Sequence, residues 1–187
     1  MNRKNNIILT GGLRQGKSHV ILSVIQDLEI DYRGLFSRPV IHNNACVGYG
    51  FQTSERSDID LFAHVDFQTD ITFDKYCVDL RVFDKAAHIL KTWLSESHSL
   101  IVIDEIGVME KSAVRFLKTI DQLLNSDIPC IVVVQERATY ILQDLQNRRD
   151  CWIFQLHSPA VEHIVSGLKE LVISLTTDRP AGVYSST

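Results

Sequence analysis

The chain has 187 residues, 45% of them hydrophobic, which is enough to bury one α/β core and too apolar for a disordered segment. Nineteen lysines and arginines against 23 aspartates and glutamates leave a net charge of −4 without a basic stripe, so no nucleic-acid partner is expected. The four cysteines (Cys46, Cys77, Cys130 and Cys151) lack C-x-x-C spacing, and no secretory or membrane-spanning apolar stretch occurs; reduced, structural thiols in a cytoplasmic protein that meets no membrane are expected.

The first apolar run, Ile7-Ile8-Leu9, reads as a strand ending in Thr10-Gly11-Gly12-Leu13-Arg14-Gln15-Gly16-Lys17-Ser18, and a helix is expected over about 17–28. A G-x-x-x-x-G-K-S pattern between strand and helix is the phosphate-binding P-loop, or Walker A pattern. Glycines let successive backbone N–H groups turn inward on a phosphate chain, and the helix N-terminus adds its positive dipole end. The candidate nucleotide-binding set is therefore Gly11, Gly12, Leu13, Arg14, Gln15, Gly16, Lys17, Ser18 and His19. Lys17 supplies a point charge for the β- and γ-phosphates, and the Ser18 hydroxyl is a candidate ligand for Mg²⁺.

Farther along, Gly34–Val40 and Cys46–Gln52 flank His42-Asn43-Asn44, the pattern of a β-hairpin after the first helix, with Pro39 favouring an edge position. Residues 53–74 hold no sustained period and read as loop or irregular structure on the nucleotide side. A short strand at Tyr76–Val78 follows. A helix is then expected over 83–94, with Ala86, Ala87, Leu90, Trp93 and Leu94 on its core face. Next come strands at 100–103, 130–134 and 151–154, alternating with helices at about 112–125, 139–146 and 160–174. Continuous β-branched runs alternating with amphipathic helices predict an α/β fold with a mostly parallel sheet flanked by helices on both faces. One domain is expected over 1–175, with 176–187 as a flexible tail.

Leu100-Ile101-Val102-Ile103-Asp104-Glu105 supplies the complement to the P-loop, an apolar strand ending in two acids, the Walker B pattern. Asp104 is the candidate to hold Mg²⁺ together with Ser18, and Glu105 to polarise the attacking water, making Lys17 and Glu105 the candidate catalytic pair. Gln135 follows a strand; it either reaches the γ-phosphate or begins a solvated loop. Arg14 either folds over the phosphates or points to solvent. Arg137, Arg148 and Arg149 are candidates for a charge-stabilising arginine, and the histidines show no metal-ligand spacing. No Asn-Lys-x-Asp motif predicts strict GTP selectivity.

Asp104-Glu105-Ile106-Gly107-Val108-Met109-Glu110 resembles the D-E-I-G-x-M-E signature of the small P-loop nucleoside-triphosphatases first described from thermophiles, whose animal members are called cancer-related nucleoside-triphosphatases. Gly34-Leu35-Phe36-Ser37 with Val47–Phe51, and Tyr76–Leu80 followed by Phe83, are similar to further segments of that family. The resemblance implies a RecA-like P-loop NTPase fold and slow, Mg²⁺-dependent hydrolysis of several nucleoside triphosphates. It also places Glu110 within the signature; an acid in the first turn of a helix is favourable on dipole grounds alone. Three features depart from the family pattern. The loop reads Gly12-Leu13-Arg14-Gln15 and then Ser18-His19, where the family carries a proline, an inner glycine and paired threonines. His157–His163 replaces an Asn-Arg pair, and 53–74 aligns with nothing. An arginine finger is worth about 10³–10⁵ in rate, so a chain lacking one is expected to be slow. Two other readings stay open: a nucleotide-dependent switch for an unidentified protein partner, with negligible turnover, and a small-molecule kinase.

Overall fold

Every residue of Asn6–Gly11 (β1) is buried, as a strand must be when neighbours flank both its edges and helices cover both its faces. The computed structural model describes residues 4–157 and 161–177. After β1 come α1 (Lys17–Asp27), the hairpin β2 (Arg33–His42) and β3 (Ala45–Thr53), β4 (Asp60–His64), β5 (Thr72–Phe73) and β6 (Tyr76–Val78). Then follow α2 (Leu80–Ser95), β7 (Ile101–Ile106), a 3-10 turn (Met109–Ser112), α3 (Val114–Leu124), β8 (Cys130–Gln135), α4 (Thr139–Gln146), β9 (Cys151–Leu156) and α5 (Val161–Thr177). The strands form one sheet in the order β5-β6-β4-β3-β2-β7-β8-β1-β9.

The half from β2 to β9 is parallel and carries the P-loop; the half from β3 to β5 is antiparallel. The hairpin foreseen from the sequence is thus the root of an antiparallel extension. Its two-residue turn places Asn43 at φ 48° and Asn44 at φ 60°, the positive pair a type I′ turn requires. Pairing of β2 with β7 stops at Phe36 opposite Asp104, so Pro39 has a partner strand on one side only and costs no ladder bond on the other.

Residues 53–74 are not irregular as expected: they contribute β4 and β5. Their pairing shifts register between Tyr49 and Gly50, and the two most buried residues of β4, Phe62 and Ala63, are adjacent instead of alternating. That bulge erases the period of two on which a strand is recognised. The helix expected to begin near 112 starts at Val114, after the 3-10 turn.

Two cores sandwich the sheet. On one face Ile7, Leu9, Leu100, Val102, Ile131 and Val133 meet Val20, Ile21 and Val24 of α1 and Leu168 and Val172 of α5. On the other, Ile101, Ile103, Val132 and Val134 meet α2 and α3, where Phe51, Phe62, Phe83 and Phe116 form a cluster with Phe51 and Phe62 centroids 4.5 Å apart. Each such side chain contributes about 1.5–3 kcal/mol by leaving water. The cluster fastens the antiparallel extension to α2 and α3. Asp79 caps α2 by accepting a hydrogen bond from the Arg81 N–H at 3.0 Å. None of the four cysteines is in a disulfide, and Cys130 and Cys151 are buried. Thr176 and Thr177 belong to α5, and the rest of the expected tail lies outside the described residues. No helix among the described residues is long and apolar enough to cross a membrane.

Candidate functional site

The loop leaves β1 at Gly11 and enters α1 through Gly16, whose φ of +84° is open to glycine at no steric cost. No side chain caps α1, so its first N–H groups and dipole end face the loop. The Gln15 Oε1 accepts the Gly12 N–H at 2.6 Å, bracing the arc from within. Leu13, Arg14, Gln15 and His19 are exposed, Gly12 and Ser18 half-buried, and Gly11 and Lys17 buried. Of the two readings of Arg14, exposure at φ 59° is what the loop presents.

Lys17 directs its ammonium back into the loop, donating to Gly11 O at 3.2 Å and Gly12 O at 2.8 Å, and pairs with Glu105 Oε2 at 3.2 Å. The two sequence motifs, 88 positions apart, therefore meet in one ion pair. Glu105 is held in turn by Gln135 Nε2, which donates to its Oε1. Neither reading of Gln135 foresaw this; the pairing of β7 with β8 brings the two together.

Asp104 shares the α1 face of the sheet with Leu100 and Val102. It is 2% exposed, and its Oδ1 is buried without a hydrogen-bond partner. Burial pushes this carboxyl above the usual carboxylate range. The Ser18 hydroxyl opposes that rise, the charge of Glu105 adds to it, and Arg38 and Lys17 pull it down. An orphaned, buried carboxylate oxygen beside a serine hydroxyl fits a hard cation that prefers oxygen ligands.

Behind Glu105 the chain is locked by a second set of contacts. Glu110 is buried, and its Oε2 accepts the Gly107 N–H at 2.8 Å, while the Tyr140 hydroxyl donates to Gly107 O at 2.9 Å. A Cβ on Gly107 would come within 2.7 Å of the Gln135 amide, so the residue type there keeps Gln135 on Glu105. Glu110 stands in the first turn of the 3-10 helix, and from there it also makes this back-bond. Burial pushes its carboxyl up to about 7; the hydrogen bonds lower it and the charge of Glu105 raises it.

The arginines separate sharply. Arg148 bonds Asp121 at 2.9 Å, Asp150 at 2.7 Å and Leu124 O at 3.1 Å, at the N-terminal end of β9 and so opposite the loop. Arg149 is exposed at that same end. Arg137 is exposed between β8 and α4, at the loop's end of the sheet. Arg38, on β2, was not among the candidates. It sits on the face of Phe36 and Asp104, with its guanidinium 4.8 Å from the Phe36 ring centroid and Nε donating to Gln52 Oε1 at 3.2 Å.

Comparisons with known proteins bear on the family and the fold. The profile of a family described as NTPase matches residues 6–167. A protein of Natranaerobius thermophilus named nucleoside-triphosphatase THEP1 is 28% identical over 158 residues, 82% of this chain and 88% of that one. Its namesake from Sulfolobus acidocaldarius is 30% identical over 137 residues, 72% and 78% of the two chains. The solution structure of a human cancer-related nucleoside triphosphatase superposes with a TM-score of 0.75 at 20% identity, covering 94% of this chain and all of the other. The crystal structure of THEP1 from Aquifex aeolicus gives 0.74 at 18% identity, covering 89% of this chain and 98% of that one.

Proposed function

The chain belongs to the NTPase family, and from that premise we propose that it hydrolyses nucleoside triphosphates to diphosphate and phosphate, with Mg²⁺ as cofactor. The observation that carries the reading is the 3.2 Å pair between Lys17 of the P-loop and Glu105 of β7, which puts a phosphate-binding cation and a candidate base in one place. The names of the relatives, nucleoside-triphosphatase THEP1, support the same chemistry.

The backbone N–H groups of Gly12–Lys17 and the start of α1 bind the β- and γ-phosphates. Lys17 exchanges loop carbonyls for phosphate oxygens, which releases Glu105 from its ion pair. Glu105, kept in line by Gln135, holds the attacking water and takes its proton as the oxygen closes on the γ-phosphorus and the bond from that phosphorus to the bridging oxygen breaks, the diphosphate leaving with that oxygen. Ser18 and Asp104 are the residues that would hold Mg²⁺. Bound there, the ion would supply charge neutralisation for the phosphates.

Release of inorganic phosphate from each of the four common nucleoside triphosphates tests this, using wild type, Lys17→Ala and Glu105→Gln. Mg²⁺-dependent turnover in wild type that both substitutions abolish is expected. Nucleotide binding without turnover in wild type would refute the hydrolase and leave a nucleotide-dependent switch.

A further inference from the structure

Among the described residues, Arg14, Lys17, Arg137 and Arg38 are positive side chains placed near the end of the sheet where the P-loop lies. Only Lys17 has a place in the chemistry above. Arg14 and Arg137 are exposed and loop-borne, with no partner fixing their guanidinium groups among the described residues. Arg38 differs on each count. It is half-buried on a strand, stacked at 4.8 Å on Phe36, and pinned through Nε to Gln52 at 3.2 Å. Its two terminal nitrogens bond no acceptor among the described residues. The planar group is thus pre-oriented with its bidentate edge unspent.

Register says where that edge lies. Phe36 pairs with Asp104 across β2 and β7, and paired residues of parallel strands share a face. Arg38 is two residues farther on the same face, about 6.6 Å beyond the level of Asp104 toward the C-terminal ends of the parallel strands. That edge is where the P-loop, the start of α1 and Glu105 converge, and where ligands of open α/β sheets bind. The hairpin turn at Asn43 and Asn44, together with the continued pairing of β2 with β3 beyond Phe36, is what carries an arginine past the end of the β2–β7 ladder.

We propose that Arg38 contacts the γ-phosphate of the bound nucleoside triphosphate and supplies the charge-stabilising arginine of this site from within the sheet. The inference rests on the nucleoside-triphosphatase reading and adds the residue that distinguishes triphosphate from diphosphate. A guanidinium held by Phe36 and Gln52 loses little freedom on engaging phosphate, and its two terminal nitrogens match two phosphoryl oxygens.

Calorimetric titration with a non-hydrolysable ATP analogue and with ADP, both with Mg²⁺, separates this role from a structural one. The full chain is used as wild type, Arg38→Ala, Arg38→Lys, Arg137→Ala and Lys17→Ala. Arg38→Ala is expected to lose about tenfold or more in affinity for the triphosphate analogue while ADP stays within about twofold. Arg38→Lys restores part of the difference, because one ammonium cannot bridge two oxygens; it also serves as the test variant if the alanine form does not fold. Lys17→Ala weakens both ligands. An unchanged triphosphate-to-diphosphate ratio in the Arg38 variants, or its collapse in Arg137→Ala instead, overturns the assignment while leaving the nucleotide site intact. Failure of wild type to bind either ligand overturns the underlying reading, and this one with it.

Discussion

Replacing Glu110 by glutamine should change how stability depends on pH. The carboxyl is 3% exposed and titrates near 7 in the folded chain, against an ordinary value of 4.5. The folded state therefore binds this proton more tightly than the unfolded state. Its contribution is fully present below pH 4.5 and is lost as pH rises through the folded value near 7. A displacement of that size is worth about 3 kcal/mol. Glutamine keeps an oxygen to accept the Gly107 N–H but has no proton to lose. Urea unfolding of both proteins, followed by circular dichroism from pH 5 to pH 8, reads the effect directly. Wild type is expected to lose about 2–3 kcal/mol more than Glu110→Gln across that interval, the rest having gone below pH 5. Asp104, also raised by burial, gives the same slope in both proteins and cancels in the difference. Parallel stability curves would refute the reasoning, because they would mean that Glu110 titrates alike in the folded and unfolded chains.

Other substitutions probe separate parts of the account. Gln135→Ala frees Glu105 from its amide and should lower kcat about tenfold with little change in nucleotide affinity, measured by steady-state phosphate release and titration. Asn44→Val forces a β-branched residue to the φ of 60° and should cost about 1–2 kcal/mol, seen as a lowered melting temperature. Arg148→Ala strips Asp121, Asp150 and Leu124 O of their shared donor at the far end of the sheet. It should lower the urea midpoint while leaving triphosphate affinity at the wild-type value.

Local pattern carried most of the parallel half of the fold. β1, β7 and β8 carry continuous apolar runs at Ile7–Leu9, Ile101–Ile103 and Cys130–Val134 because both their faces are covered, and the buried residues of α1 through α5 recur at helical spacing. The P-loop and the Asp104-Glu105 pair were legible because their chemistry is written in adjacent residues. β4 was not, since a bulge places Phe62 and Ala63 side by side in the core. The partners of the site were hidden for a different reason. Gln135 reaches Glu105 across 30 residues, Tyr140 reaches Gly107 across 33, and Arg38 meets the level of Asp104 only through the β2–β7 register. Strand order decides those contacts, and no spacing within one segment encodes it. Glu110 was visible as part of a signature, but its back-bond to Gly107 depends on a 3-10 turn that the expected α-helix would not make.

On the proposed mechanism Lys17 holds the nucleotide and Glu105 activates the water that attacks it. Single-turnover conversion of γ-labelled ATP, with enzyme in excess and Mg²⁺ present, tests it most directly when nucleotide retained on the protein is counted in the same samples. Glu105→Gln is expected to retain intact triphosphate and convert it about 10²–10⁴ times more slowly than wild type, while Lys17→Ala retains none. Conversion by Glu105→Gln at the wild-type rate would contradict it.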